Sequence, residues 1–411
     1  MTLPEEELGG RQMRGFKDFY QFTVPTRVIA GRALIEGLGF ELSKEGARRV
    51  AIVTDEVIRG TGLVDKVVAG VEDGGLEVAG IFDGVPPDSD SAVVASAAGQ
   101  ARAQGADAFL AVGGGSVMDT AKLADVIFTH GGEPRDWEGY YGLPREDDGL
   151  GRPLDLAPLG CVPTTAGTGS ESSFAAVIKD REEHLKFQVA DFPMYPRLAV
   201  LDPESTRTLP PAIAAATGMD ALTHAIEGYV SREWTPHGDA YALHALRLIR
   251  DNLERAVQTP EDEDARGNML IAANLAIAPT SCNAIGIAHS LSHPAGAHFD
   301  VPHGVANAIH LPVVIEFNAA GGSDIADRYR DINELLGLEP GGDDETVGQT
   351  LAEHVRGLVA NLGLPTRLSE VGVPESAVPA LVEGAMGDAC TLVNPREPTE
   401  EEFAALYERA L

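Results

Sequence analysis

Four of the chain's 11 histidines, His289, His293, His298 and His303, fall in one stretch, GIAHSLSHPAGAHFDVPH at 286–303. His289 and His293 are four residues apart, so a helix would place them on one face, one turn apart. The surrounding AIGIAHSL is apolar, which predicts a buried imidazole at His289, and a buried imidazole needs a polar partner. Pro294 and Gly296 predict a break in that helix. His303 follows Pro302, at or near the start of a further helix, GVANAIHLPVVIEF. A helix–break–helix layout can turn two separated histidines toward one point. A second pair with the same spacing, Asp220 and His224, lies in TGMDALTHAIEG at 217–228. Carboxylate and neutral imidazole together suit Fe(II) or Zn(II). Each group also has a plainer reading: a core histidine, a helix-capping aspartate, or histidines gathered in a polar loop.

The elements that must position these groups can be read along the chain. In the first half RVAIVTD (49–55), LEVAGIFDGV (76–85), DAFLAVGGGS (107–116), APLGCVPTT (157–165) and LAVLDPE (198–204) read as buried strands. AVVASAAGQARAQGA (92–106) and MDTAKLADVIF (118–128) read as helices between them. This alternation predicts a parallel α/β sheet. The polar, Gly- and Pro-rich stretch 132–157 predicts a surface excursion. From Leu209 onward helical patterns dominate, and the last, TEEEFAALYERAL, opens on a Thr-x-x-Glu capping signal. The expected architecture is an α/β domain over 1–204 and an all-α domain over 205–411.

The strand ends carry a second set of candidates. GGGS at 113–116 is not the GxGxxG fingerprint. Glycines after a buried strand nevertheless let backbone N–H groups approach a pyrophosphate, and a helix beginning near Ser116 would aim its dipole at that charge. A tight strand–helix turn is the alternative. Asp55, ending the first strand, can accept from a ribose 2′-OH and repel a 2′-phosphate, favouring NAD over NADP; it can equally cap the next helix. In PTTAGTGSE, Thr164, Thr165 and Thr168 offer hydroxyls to a cofactor's phosphates and nicotinamide side, or form a plain turn.

Composition narrows the partners. A net charge of -32 disfavours nucleic acid and anionic membranes. No apolar run reaches the roughly 18 residues of a membrane helix, and the acidic start MTLPEEELGG lacks a signal-peptide layout. Three widely spaced cysteines, Cys161, Cys282 and Cys390, imply no disulfide framework. A cytoplasmic protein is the expectation.

Taken together, GGGSVMDTAK (113–122), PTTAGTGSE (163–171), GMDALTHAIEGYVS (218–231) and HSLSHPAGAHFDVPHGVANAIHLP (289–312) resemble the iron-containing, group III alcohol dehydrogenases in order and spacing. The resemblance extends to VPTRVIAG (24–31) and GDACTLVNPREPTEEE (387–402), and so spans nearly the whole chain. It implies a dehydroquinate synthase-like fold, with an α/β dinucleotide-binding domain followed by an all-α metal-binding, catalytic domain. It implies one divalent metal on Asp220, His224, His289 and His303, Fe(II) in many members and Zn(II) in others. His293 would lie beside the nicotinamide as the catalytic residue rather than on the metal. Cofactor contacts would come from Asp55, Gly114, Gly115, Ser116, Asp119, Thr164, Thr165, Thr168 and Lys186. Cys390 would line the substrate pocket, a small buried hydrophobe being the alternative. His310 reads as packing and His298 as a pocket or loop residue.

The implied activity is NAD(H)-linked alcohol dehydrogenase or aldehyde reductase, in a homo-oligomer of two or more copies. The alternatives are a hydroxyacid–oxoacid transhydrogenase, a maleylacetate reductase, a zinc glycerol dehydrogenase and, most remotely, a non-enzymatic metal-binding protein. The chain departs from the family twice. TSCNAIGIAH (280–289) is a residue shorter than the usual Asn-Ala-Gly-Leu-Gly pattern and lacks its aromatic. The 132–157 excursion is unusual and would cover the cleft.

Overall fold

In the computed structural model the apolar runs of the first half stack into a parallel sheet that is covered on both faces. Residues 17–146, 154–181, 183, 185–278, 283–339 and 341–411 are described. The strands are β1 (Arg27–Ala30), β2 (Arg49–Val53), β3 (Glu77–Phe82), β4 (Ala108–Gly113), β5 (Gly139–Tyr140), β6 (Leu159–Pro163), β7 (Ala175–Asp180), β8 (Leu185–Ala190) and β9 (Leu198–Leu201). The main sheet runs β1-β9-β6-β4-β2-β3, with every pairing parallel. Helices α1 (Leu38–Ser43), α2 (Glu56–Gly60), α3 (Leu63–Asp73), α4 (Ser91–Ala103) and α5 (Gly115–His130) cover it.

The period-2 alternation of a strand divides the core. Val50, Ile52, Leu110 and Val112 face the side that holds Leu42, Val64 and Val67 of α1 and α3. Ala51, Val53, Phe109 and Ala111 face Ala97, Val117 and Ala121 of α4 and α5. The strand order reverses between β2 and β4, so a crevice opens at their carboxyl ends, where open α/β sheets take ligands. Asp55 and the GGGS turn flank that crevice.

Two features escape the sequence pattern. Edge strand β1 is short. The antiparallel pair β7–β8, with the short β5 beside β8, forms a separate three-stranded sheet where only a strand–helix alternation was expected. β5 belongs to the 132–157 stretch, of which residues 147–153 lie outside the described ones.

After β9 the described chain is helical: α6 (Pro211–Val230), α7 (Pro236–Gln258), α8 (Glu263–Ile277), α9 (Ile287–Phe299), α10 (His303–Ala319), α11 (Ser323–Leu336), α12 (Asp344–Asn361), α13 (Val378–Met386) and α14 (Glu400–Ala410). They share one large core. The break predicted at Pro294 and Gly296 does not occur, because α9 runs through both to Phe299. Proline removes one N–H and crowds one carbonyl, but burial can outweigh that local cost. Pro294 is buried, and Gly384 of α13 lies so close that a Cβ there would sit 2.8 Å from the proline ring. The turn comes six residues later, where Asp300 adopts the left-handed conformation (φ 52°) and Pro302 precedes α10.

The loop after β6 joins the two halves. Gly169 has φ +61°, and a Cβ there would stand 2.0 Å from Ile277 Cγ2 and 2.7 Å from the Ala273 carbonyl on α8. Only glycine fits both the backbone and the gap. Just beyond, Asn274 donates from Nδ2 to Glu171 Oε1 at 3.0 Å and to Ser172 Oγ at 2.6 Å. The threonine-rich loop is therefore clamped against the helical half.

A buried carboxyl in α5 makes stability depend on pH. Asp125 accepts from Ala157 N and Thr129 Oγ1, and burial pushes its pKa up to about 8. An unfolded aspartate ionises near pH 4. Between those values the folded chain holds a proton that the unfolded chain has lost, so stability falls as pH rises through the window. Asp125→Asn removes this slope. Relative to the parent, the variant gains about 1 kcal/mol per pH unit between pH 5 and 8, read by denaturant unfolding at each pH. A pH-independent difference would contradict it.

Candidate metal centre and cofactor face

Asp220 and His224 lie one turn apart in the middle of α6, fully buried. Asp220 is thus no helix cap. α9 brings His289 against them, and α10 opens on His303. Three imidazole nitrogens surround Asp220 Oδ1: His303 Nε2 at 3.5 Å, His289 Nε2 at 3.6 Å and His224 Nε2 at 3.9 Å. These separations are too long for good hydrogen bonds. They suit the edges of a tetrahedron with metal–ligand bonds of about 2.0–2.1 Å, which are about 3.4 Å long. An oxygen and three nitrogens, hard to borderline donors, fit Fe(II) or Zn(II). Asp220, His224 and His289 are the tight group, while His303, 31% exposed, stands on the open side.

Electrostatics match a cation site. Burial would raise the Asp220 carboxyl, but His224, His303 and His289 outweigh it and hold the group well below the usual carboxylate range. Burial lowers His224 to about 4, which keeps the imidazole neutral and its lone pair free. His289 differs. Burial opposes its protonation, yet Glu227 and Asp220 raise it to about 9.

Glu227 is the residue that the sequence reading missed. Its Oε2 lies 2.5 Å from His289 Nδ1 and its Oε1 accepts from Ala288 N at 2.7 Å. A carboxylate on Nδ1–H fixes the tautomer in which Nε2 faces Asp220, the usual support of a metal-binding histidine. The signal was present, since Glu227 follows His224 by three residues and so shares its face. Glu227→Gln lowers metal affinity by about 10–100-fold, measured by competition with a chelator; unchanged affinity would contradict this role. Asn307, one turn after His303, was also missed. Its Nδ2 donates to Asp220 Oδ1 at 2.8 Å and lies 3.2 Å from both His289 Nε2 and His303 Nε2.

A close helix approach seats His303. A Cβ on Gly304 would lie 2.1 Å from the Ala216 carbonyl of α6. Gly304→Ala therefore pushes α10 off α6, with an expected loss of about 1–3 kcal/mol and weaker metal retention, read by thermal unfolding with and without chelator. A wild-type melting curve would refute the argument.

Family models match both halves of the chain: "Iron-containing alcohol dehydrogenase" over residues 25–203 and "Fe-containing alcohol dehydrogenase family, C-terminal" over residues 214–411. The chain belongs to the iron-containing alcohol dehydrogenase family. It is an oxidoreductase of the alcohol dehydrogenase and aldehyde reductase class. Among its relatives, the NAD-dependent methanol dehydrogenase of Bacillus methanolicus is 34% identical over 95% of this chain and 99% of its own. The lactaldehyde reductase of Escherichia coli K12 is 37% identical over 92% of this chain and 96% of its own. Among solved structures, a 1,3-propanediol oxidoreductase superposes with a TM-score of 0.89 at 33% identity, covering 96% of this chain and all of that one.

In this member of the family, His293 stands beside the group around Asp220. Its ring stacks on His303, with centroids 5.4 Å apart and planes at 13°. Its Nδ1 is 2.6 Å from Asp388 Oδ2, a partner that the sequence reading did not find. Asp388 Oδ1 accepts from Cys390 N at 2.8 Å. Tyr140, from the excursion, donates to Gln188 Oε1 at 2.6 Å, and burial, then the charges of Cys390 and Asp388, raise its hydroxyl above the usual range. His310 is buried, 3.0 Å from Ser292 Oγ and edge-on to Tyr407, as a packing residue would be. His298 lies near the end of α9 and is exposed.

The cofactor candidates gather at the strand ends. α5 begins at Gly115, and Gly114 caps it without a side-chain bond, which leaves its first N–H groups for an anion. Gly114 and Gly115 pack under the threonine loop: a Cβ on them would lie 3.3 Å from Thr165 Oγ1 and 2.8 Å from Thr168 Cγ2. Thr164 is buried, its N–H bonded to the Gly113 carbonyl. Ser116 Oγ accepts from Asp88 N at 3.1 Å, and Lys186 Nζ reaches Asp88 Oδ1 at 2.8 Å. Two candidates carry structural bonds. Asp55 caps α2 through Ile58 N, and Asp119 accepts from Ser170 Oγ and Val177 N.

Among the described residues no helix is long and apolar enough to cross a membrane. Cys282 and the start of the shortened 280–289 stretch lie outside the described residues.

Proposed function

We propose that this enzyme interconverts a small alcohol and its carbonyl with NAD(H), using one divalent ion, Fe(II) or Zn(II), at Asp220, His224, His289 and His303. The convergence of three histidines on one buried carboxylate oxygen, with Glu227 behind His289, carries the reading. Residues 1–204 would form the NAD-binding domain and 205–411 the metal-binding, catalytic one. The relative named as NAD-dependent, the crevice at the β2–β4 reversal and the uncapped start of α5 favour NAD as the partner.

When bound, the ion supplies Lewis acidity toward the alcohol or carbonyl oxygen, and the dinucleotide supplies the hydride donor or acceptor. The chain's own task is positional. Gly114, Gly115 and Ser116 hold the pyrophosphate against the start of α5. The free oxygen of Asp55 takes the adenosine ribose, with Asp119, Thr164, Thr165, Thr168 and Lys186 around the rest. Cys390 lines the substrate side. Asp388 holds His293 by Nδ1, so Nε2 is the atom that takes up the alcohol's proton and passes it to solvent. The Gly169 clamp holds the cofactor loop against α8, and so at a fixed place relative to the helical half, as hydride transfer requires.

The test is NADH consumption by anaerobically prepared protein with small aldehydes, ketones and 2-oxo acids, before and after chelation and re-addition of Fe(II) or Zn(II). Aldehyde-dependent oxidation that vanishes on chelation and returns with one ion is expected. Activity indifferent to metal would overturn the reading.

A further inference from the structure

We propose that His293, Asp388 and Cys390 form a second metal site, selective for a sulfur-seeking divalent cation such as Zn(II) or Co(II). One donor atom from each, an imidazole nitrogen, a carboxylate oxygen and a thiol sulfur, lies within 4.8 Å of the other two. The three come from two elements: His293 from α9, and the other two from the turn after α13. All three are partly exposed, so an ion can enter from the cleft. Three protein donors and one open position are the make-up of an exchangeable rather than a structural zinc site.

The donor set separates this site from the first. Asp220, His224, His289 and His303 offer one oxygen and three nitrogens, and no sulfur. Cys390 adds a soft ligand, which favours Zn(II) and Co(II) over the harder ions. The two sites share a wall, because the His293 ring stacks on His303. An ion entering the second site replaces the hydrogen bond between His293 Nδ1 and Asp388 Oδ2. The Nδ1 proton moves to Nε2, the Cys390 thiol gives its proton to solvent, and Asp388 turns from acceptor to ligand. One proton leaves per ion bound. With Nε2 protonated and the ring fixed, His293 cannot accept a proton from substrate, so this ion inhibits. The inhibition rests on the role proposed for His293; the site itself does not.

The experiment is an anaerobic titration of the metal-loaded enzyme with Co(II), followed by near-ultraviolet absorption and metal analysis after gel filtration. A second bound ion is expected, with a thiolate-to-cobalt charge-transfer band that an oxygen–nitrogen site cannot give. Cys161 is buried in the sheet core. The band disappears in Cys390→Ser, and Asp388→Asn weakens the second ion by at least about tenfold. It persists in Asp220→Asn, so failure of the first site and failure of the second are told apart. Excess Zn(II) slows NADH turnover of the parent and loses this effect in Cys390→Ser. A single ion per chain without the band, or a band that survives Cys390→Ser, overturns the proposal.

Discussion

Asp220→Asn yields a folded protein without its ion, with kcat/KM lower by about a thousandfold or more. The size follows from Lewis-acid catalysis, worth several kcal/mol, with each 1.4 kcal/mol a factor of ten. Asp220 supplies the negative charge around which His303, His289 and His224 gather. An amide of the same shape keeps the contact with Asn307 and the helix packing, but leaves three imidazoles facing a neutral group. A dication then lacks the charge that offsets its loss of water. Metal per chain by elemental analysis, circular dichroism and NADH turnover check this together. Retention of a full equivalent of metal with normal turnover would remove Asp220 from the centre.

His293→Ala separates chemistry from metal binding. Turnover falls by about 100-fold or more, the usual range for losing a positioned acid–base group, while the ion at Asp220 is retained. Geometry is the basis: His293 is bonded to Asp388 and stacked on His303, and it does not belong to the group around Asp220. Single-turnover hydride transfer and metal analysis on one preparation decide it. A variant that has lost the ion at Asp220 would mean that His293 is a ligand of that centre.

Local patterns were enough to single out most of the residues that meet at Asp220. The i, i+4 spacing of Asp220 and His224 needs only the helix period, and the apolar setting of His289 foretold its burial and its partner. The same logic failed at Pro294, because packing against α13 outweighs a local proline cost. It could not find Asp388, 95 residues from His293, or choose Glu227 among the many acids of this chain. Nothing in the pattern of 175–190 announced an antiparallel pair within an otherwise parallel arrangement.

By itself, then, the sequence determined the alternation that builds a parallel sheet, the glycines that open its carboxyl edge, and which residue types lie on which helical faces. These are short-range properties, set by backbone period and side-chain volume. Tertiary structure alone decided which faces meet. The crossing of α6, α9 and α10 turns Asp220, His224, His289 and His303 to one point, Glu227 to the back of His289, and the turn after α13 to His293. Such meetings depend on packing between elements far apart in the chain, and no local period encodes that distance.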